Sequence, residues 1–493
     1  MNSFNPLRQN LIKGLPYGIL FLSIVLALFP LLFGTYQPVA DDFPFINLIR
    51  NGGIISHFNR FGIWRIFGVY TGILSIINIP SFHGILVITT HFLASTFVYR
   101  AYQLLLGGIY LPLTLALLVF VFPWGYQATT WAIAYHYMLG TAFFWLNLLV
   151  IIKAYSYPNK QTFFFFVIYF LTLISLFSNE SLLFTIAISG SLIWLGESKF
   201  KLKKIRRKIL TMYAGWAPIL GSISYVIFYH LLKSNSMPKN TSLNPETILS
   251  VYVYQFSNFY IFQPLLNSKS IPFVFYGWTG ITFTCILIII CTYLVGLYIF
   301  FKFPQKYETR SILKIPKKQM LIYIILLLLG ASLIYAIGGG FSVDTRKKYS
   351  LIPLIVLLMG WLWQNYFKCR IKLFQKNFLT LFIVCALGIN TNWLVIGIWK
   401  YESTRYNLLA DFLVSNNITG SLRVEWEPDL YKAWPTMHQT WAFRMDDDWV
   451  LNLAIKDRGG QPVHVTQDRN AQLIRFDKNL SRWGLSQDNI VKK

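Results

Sequence analysis

Two adjacent carboxylates, Asp41 and Asp42, interrupt an otherwise apolar stretch of chain in Ala40-Asp41-Asp42-Phe43. Residues 1–399 hold only five other acidic side chains: Glu180, Glu197, Glu246, Glu308 and Asp344. A charge kept at the centre of a membrane helix costs roughly 2.5–3.5 kcal/mol on insertion scales, so an acid retained near a bilayer is a functional candidate. A carboxylate pair can supply a general base toward a hydroxyl, or a metal ligand. Neighbouring side chains diverge in extended or turn backbone, so one would act as the base while the other holds a metal or orients it. A plainer role is also open: Asp42 precedes Phe43-Pro44-Phe45, which reads as a helix start with Pro in the first turn. An N-cap can also position its neighbour, so the two roles are compatible.

Other residues could converge on the same chemistry. Arg60, in Phe58-Asn59-Arg60-Phe61, and Arg65, in Ile63-Trp64-Arg65-Ile66, lie among apolar and aromatic residues. Five positions apart, they fall within about 140° on a helix and could grip a phosphate, or snorkel to headgroups. Asn179-Glu180 opens an apolar segment, where a first-turn acid suits the helix dipole or could bind sugar hydroxyls. Trp124, Tyr126, Gln127, Trp131, Tyr135 and His136 form an aromatic, polar stretch: an interfacial belt, or a surface on which sugar rings stack. In Gly338 to Tyr349, three glycines are followed by Asp344, Arg346, Lys347, Lys348 and Tyr349. Such a loop could hold a phosphate or contact anionic headgroups. Asp446-Asp447-Asp448 could bind a cation, but reads first as a solvated turn.

These residues need elements to position them, and composition says which. The 493-residue chain is 55% apolar and 13% charged, with a mean hydropathy of +0.50, against about 25% charged in soluble domains. Apolar segments near 15–34, 62–79, 84–106, 109–123, 133–152, 162–178, 181–196, 210–231, 279–301, 320–338, 349–366 and 378–399 predict an all-α polytopic membrane protein. The first segment lacks a small-residue cleavage site and reads as an uncleaved helix. The net charge of +25 does not point to nucleic acid, because the excess sits in short loops between spans. Seven Lys or Arg fall in Lys199 to Lys208, six in Lys302 to Lys318 and four in Lys368 to Lys376, which places these loops inside. The loop 232–278, the loop 339–348, Ser178 to Glu180, Trp124 to Tyr137 and the tail then face out. With the N-terminus inside, Asp41 and Asp42 face out as well. Twelve crossings would return the tail inside, so eleven or thirteen are expected, with 54–79 in part lying flat at the interface.

Residues 400–493 differ in kind, with twelve acidic and thirteen basic side chains and alternating apolar positions such as Leu422-Arg423-Val424-Glu425-Trp426 and Val463-His464-Val465. They predict a small soluble α+β domain outside the membrane, with Trp426, Trp434, Trp441, Trp449 and Trp483 available for its core. Residues 1–399 form the membrane domain. Cys285, Cys291 and Cys385 lie in apolar runs and Cys369 in a basic loop, so no disulfide framework is suggested.

The order of these segments resembles the GT-C superfamily of membrane glycosyltransferases, and most closely its bacterial branches that decorate surface polysaccharides. The resemblance rests on Asp41-Asp42 after the first span, Arg60 and Arg65 leading into the next, the aromatic outer loop at 124–137, and Arg346-Lys347 before a late span. It implies sugar transfer from a polyprenyl-phosphate donor to a cell-surface glycan, lipid or protein acceptor at the outer face of the plasma or inner membrane. One of Asp41 or Asp42 would be the base, with Glu180 assisting. Arg60, Arg65, Arg346 and Lys347 would hold the lipid phosphate, and Tyr135, His136, Asn179, Asp344 and Tyr349 would contact substrate. Inversion by single displacement is the stereochemistry that goes with it. No later outer loop carries a clear Asp-x-Asp motif, a departure from the family pattern that counts against metal dependence; no cofactor is expected, and a divalent metal stays open. Partners would be the donor, the acceptor and membrane lipids. A flippase for a lipid-linked saccharide is the alternative, but would be expected to show pseudo-symmetric halves and polar residues along many spans. An assembly protein has no particular use for outer-face acids.

Overall fold

The computed structural model describes residues 6–34, 36–39, 42–61, 68–77, 79, 81–195, 211–232, 279–302, 315–337, 345–366, 378–425, 448–466, 470–477 and 482–485, with isolated positions 209, 245, 246, 249, 250, 275 and 468. These residues are mostly helical and include one small sheet. The principal helices are α1 (Pro6–Leu28), α2 (Asp42–Phe61), α3 (Gly68–Ile77), α4 (Phe82–Leu106), α5 (Tyr110–Phe120), α6 (Tyr126–Thr130), α7 (Tyr135–Ser156), α8 (Gln161–Ser178), α9 (Leu183–Ser189), α10 (Ala217–Leu232), α11 (Gly280–Lys302), α12 (Lys317–Ile337), α13 (Thr345–Tyr366), α14 (Phe378–Ser415) and α15 (Asp448–Asp457).

Six stretches among the described residues are long and apolar enough to cross a membrane: Gly14–Leu32, Phe82–Leu106, Tyr135–Ser156, Pro158–Ser178, Gly280–Phe300 and Leu381–Ser415. Their outward faces are apolar too. On α11, Ile281 is 78% exposed and Ile288 62%, a surface suited to lipid rather than water. The inward faces pack α4, α5, α7, α8, α12 and α13 around one cluster that includes Val98, Tyr102, Trp145, Leu327 and Leu357. A second cluster joins α1 to α5, α11 and α14 through Leu20, Leu113, Leu297 and Cys385.

Among the described residues, the stretch 54–79 adds no such crossing. Gly53, at φ 66°, breaks α2, and the ten residues of α3 rise about 15 Å against a ~30 Å hydrocarbon core. α2 and α3 pack on each other instead. α4 returns close to the end of α1, because Gly84 has no Cβ: one there would stand 2.2 Å from Leu31 O.

The last apolar segment does not stop at 399. α14 runs on to Ser415, since Tyr406, Leu409, Ala410 and Leu413 continue a buried stripe at helical spacing. The strands β1 (Gly420–Glu425), β2 (Val463–Val465), β3 (Gln472–Asp477) and β4 (Arg482–Leu485) follow in the order β2-β1-β3-β4. β1 is parallel to β2 and β3, and β4 is antiparallel to β3. Trp483 is buried in this unit, whereas Trp449 is 49% exposed and contributes little to its core. Trp426, Trp434 and Trp441 lie outside the described residues. Arg405 of α14 is buried at the junction, 3.5 Å from Glu402 Oε1, with its guanidinium 4.6 Å from the Phe476 ring centroid.

The sheet unit does not hang free of the bundle. Leu422, Val450, Leu451, Ile474 and Trp483 share one core cluster with Tyr406 and Leu409 of α14, with Val39, Phe43 and Phe45 around the start of α2, and with Tyr126 and Trp131.

Candidate functional site

The site is built on the short loop between the first span and α2. Asp42 stands at the head of α2 and is fully buried. A buried carboxylate needs strong donors, and Asp42 Oδ2 accepts two hydrogen bonds, from the Tyr36 hydroxyl and from the Val39 backbone N–H at 2.9 Å. The Asp42 N–H donates to Val39 O at 3.0 Å, so the loop closes as a compact turn. The carboxylate thus reaches back into its loop, as a residue fixing the start of a helix does. The Tyr36 oxygen also accepts from the Ala132 N–H at 3.1 Å, which ties the loop to the aromatic segment after α6. Loss of solvent first, and the Asp42 charge second, push the Tyr36 phenol well above its ordinary pKa. Tyr70 of α3 is raised for the same first reason, with Tyr135 and then Asp42 adding to it.

Tyr36 also lines a cavity of about 290 Å³. Its walls come from four places: Leu31, Phe33, Gly34 and Gln37 near Tyr36, then Ser81, His83 and Gly84 at the start of α4, Thr130 at the end of α6, and finally Trp399, Lys400, Ser403 and Thr404 of α14. His83 bonds Tyr70 OH through Nδ1 at 2.8 Å, and its ring lies 5.0 Å from that of Tyr36. Lys400 Nζ donates to Pro30 O, and to Phe33 O at 2.6 Å. Among the described residues those are its hydrogen bonds, and it makes no ion pair there. An ammonium has three donors, so this one retains capacity for an anion.

From the cavity a polar seam runs into the bundle. Tyr70 stacks on Tyr135 with centroids 4.5 Å apart. Tyr135 shares a hydrogen bond with Thr90, and the next residue, His91, bonds Tyr349 OH at 2.7 Å. Ser350 then meets Thr141 Oγ1 and Asn179 Nδ2, each at 2.8 Å. Asn179 Oδ1 accepts from the Ser181 N–H at 3.1 Å, which caps the turn beginning at Glu180.

The structure therefore brings Asp42, Tyr135, Tyr349 and Asn179 into one connected region. Tyr135, Tyr349 and Asn179 are buried and bonded to protein groups, and none lines the 290 Å³ cavity. Their polar groups fasten helices together. Glu180 is half-buried and does not line the cavity either. His136 is half-buried, its ring 4.3 Å from that of Tyr137. Asp41, Arg65 and Asp344 lie outside the described residues. Arg60 falls within α2, and Arg346 and Lys347 within α13, but their side chains are not described.

Tyr36, His83 and Lys400 were not legible as site residues. Lys400 had a signal: it is a cation at the end of a long apolar run. Asp448, at the start of α15, accepts the Val465 N–H at 2.6 Å and sits 2.5 Å from His464 Nδ1, while Asp446 and Asp447 lie outside the described residues. Among the described residues no three His, Cys, Asp or Glu side chains are grouped to hold a metal.

No family model matches the chain, and no curated protein or solved structure gives a significant match.

Proposed function

We propose that this chain is an integral membrane glycosyltransferase that moves a sugar from a polyprenyl-phosphate donor to a glycan, lipid or protein acceptor at the outer face. One observation carries the reading: a fully buried carboxylate just past the first span bonds a phenol that lines a cavity holding His83, Lys400 and several hydroxyl side chains. Such a pair can draw a proton from a hydroxyl held in that cavity.

In this reading the acceptor hydroxyl lies against Tyr36. As its oxygen attacks the anomeric carbon, its proton passes to the Tyr36 oxygen and the Tyr36 proton passes to Asp42. The carbon–oxygen bond to phosphate breaks, and polyprenyl phosphate leaves with the electron pair. Attack opposite the leaving group inverts the anomeric centre. The raised pKa of Tyr36 suits a relay that never leaves a free phenolate. Lys400 supplies positive charge where charge grows on the leaving phosphate. Asp41, Arg60, Arg65, Arg346 and Lys347 would complete the phosphate and base groups, with eleven or thirteen spans placing the sheet unit outside.

The test is mass spectrometry of surface glycans from a deletion strain. Loss of one sugar, restored by the wild-type chain, is the expected result. Loss of the sugar together with accumulation of its lipid-linked form on the inner leaflet would favour a flippase, and an unchanged glycan profile would contradict both readings.

A further inference from the structure

The sheet unit after α14 has no part in the chemistry above, yet its hydrogen bonds lead straight to Asp42. Arg458, in the turn after α15, donates from Nη2 to Asn407 Oδ1 at 2.8 Å and from Nε to Asp411 Oδ1 at 2.5 Å. Asn407 is 6% exposed and every group of its amide is used. Because Oδ1 must face the Arg458 guanidinium, which can only donate, Nδ2 faces the other way. It donates to Pro38 O at 2.9 Å and to Ser403 O at 2.8 Å. The Pro38 carbonyl and the Val39 N–H belong to one peptide group, and that N–H is a donor to Asp42 Oδ2. One peptide plane is thus held at both ends, by Asn407 at its oxygen and by Asp42 at its hydrogen. A donor at the carbonyl polarises the peptide and strengthens the bond its N–H makes. Two further contacts repeat the link: the Arg458 guanidinium carbon lies 5.8 Å from the Phe43 ring centroid, and Arg50 of α2 lies 3.4 Å from Asp457.

We infer that Asn407 is a positioning residue, and that the sheet unit acts through it, with Arg458, to fix the Val39 N–H against Asp42. In giving the sheet unit a role in the reaction, this rests on the transferase reading.

Asn407→Asp separates this role from simple docking. The carboxylate keeps and reinforces the acceptor for Arg458 but loses the donor to Pro38 O and sets an anion against that carbonyl. Hydrogen exchange of the full chain in lipid nanodiscs needs no turnover, so its result is independent of whether the transferase reading holds. In N407D, amides of 36–46 should exchange about tenfold faster, while those of 448–457 stay unchanged. Arg458→Gln should give the same direction with a smaller change, and covers the case in which N407D does not fold. Arg475→Gln, which breaks the exposed pair with Glu425 in the sheet, should change neither segment. Where turnover is measurable, N407D should lower kcat and leave the KM for a synthetic polyprenyl-phosphate sugar unchanged. Unchanged exchange of 36–46 in both N407D and R458Q would overturn the inference. So would an equal rise in 36–46 and 448–457, which marks general undocking.

Discussion

The hydroxyl of Tyr36 donates to Asp42 Oδ2 while Tyr36 lines the 290 Å³ cavity, so a carboxylate with no exposed surface is linked to that cavity through a phenol. The phenol and the Val39 N–H both donate to that oxygen. Hydrogen bonds to charged groups contribute about 1.5–3 kcal/mol, so Tyr36→Phe should lower kcat/KM by roughly 10- to 100-fold in a polyprenyl phosphate release assay. The sign of the pH dependence follows from the raised phenol. Its folded pKa exceeds the unfolded value, so the contact holds fully below about pH 10 and is lost only as pH rises through the higher folded value. The ratio of wild-type to Y36F rates should therefore be flat between about pH 7 and pH 9.

Lys400 is the described cation of the cavity wall, held by two backbone carbonyls rather than by an acid. Lys400→Met keeps much of the side-chain volume and removes the charge. The KM for the lipid-phosphate donor should rise about tenfold, and Lys400→Arg should recover part of that loss. Equal KM values for K400M and wild type would remove Lys400 from the donor site.

The start of α2 was readable from sequence because acids are so rare before residue 400. Asp42 therefore stood out, and Pro44 marked a helix start. The two strands β1 and β2 were readable from alternation at Leu422–Val424 and Val463–Val465. Tyr36 and His83 were hidden because aromatic and His residues near span ends are common, and only tertiary packing shows which ones meet. The end of α14 was hidden by a change of pattern. A uniformly apolar run up to Trp399 gives way to an amphipathic one, because the helix leaves lipid and packs on its own sheet unit. Asn179 and Tyr349 looked like ligand residues, since a polar group among apolar neighbours has two possible uses. In a bundle it can equally well bond a facing helix, as Ser350 and His91 show.

Gly84 lets α4 approach the end of the first span, where a Cβ would lie 2.2 Å from Leu31 O and 2.6 Å from Leu31 C. The obstacle is backbone, so it cannot turn aside. Gly84→Ala should destabilise the fold by about 1–3 kcal/mol and distort a wall of the cavity. A lower Tm with a higher donor KM is expected. An unchanged Tm would mean that α4 and the first span do not pack this closely.

Arg405 is buried among Tyr401, Phe476 and Trp483 and pairs with Glu402. Breaking a buried pair from one side costs about 3–5 kcal/mol, because the remaining charge stays buried. Arg405→Ala should therefore release the sheet unit from α14, read as protease cleavage after residue 415 in a chain that still inserts into membranes. Resistance to cleavage equal to wild type would contradict the packing described for that junction.

The most direct test of the account is release of polyprenyl phosphate from a synthetic polyprenyl-phosphate sugar by purified protein in a bilayer, comparing wild type with Asp42→Asn and Asp41→Asn. The account predicts turnover by wild type and a loss of about 10²–10⁴-fold in D42N at equal membrane expression. Full activity in both variants would contradict it.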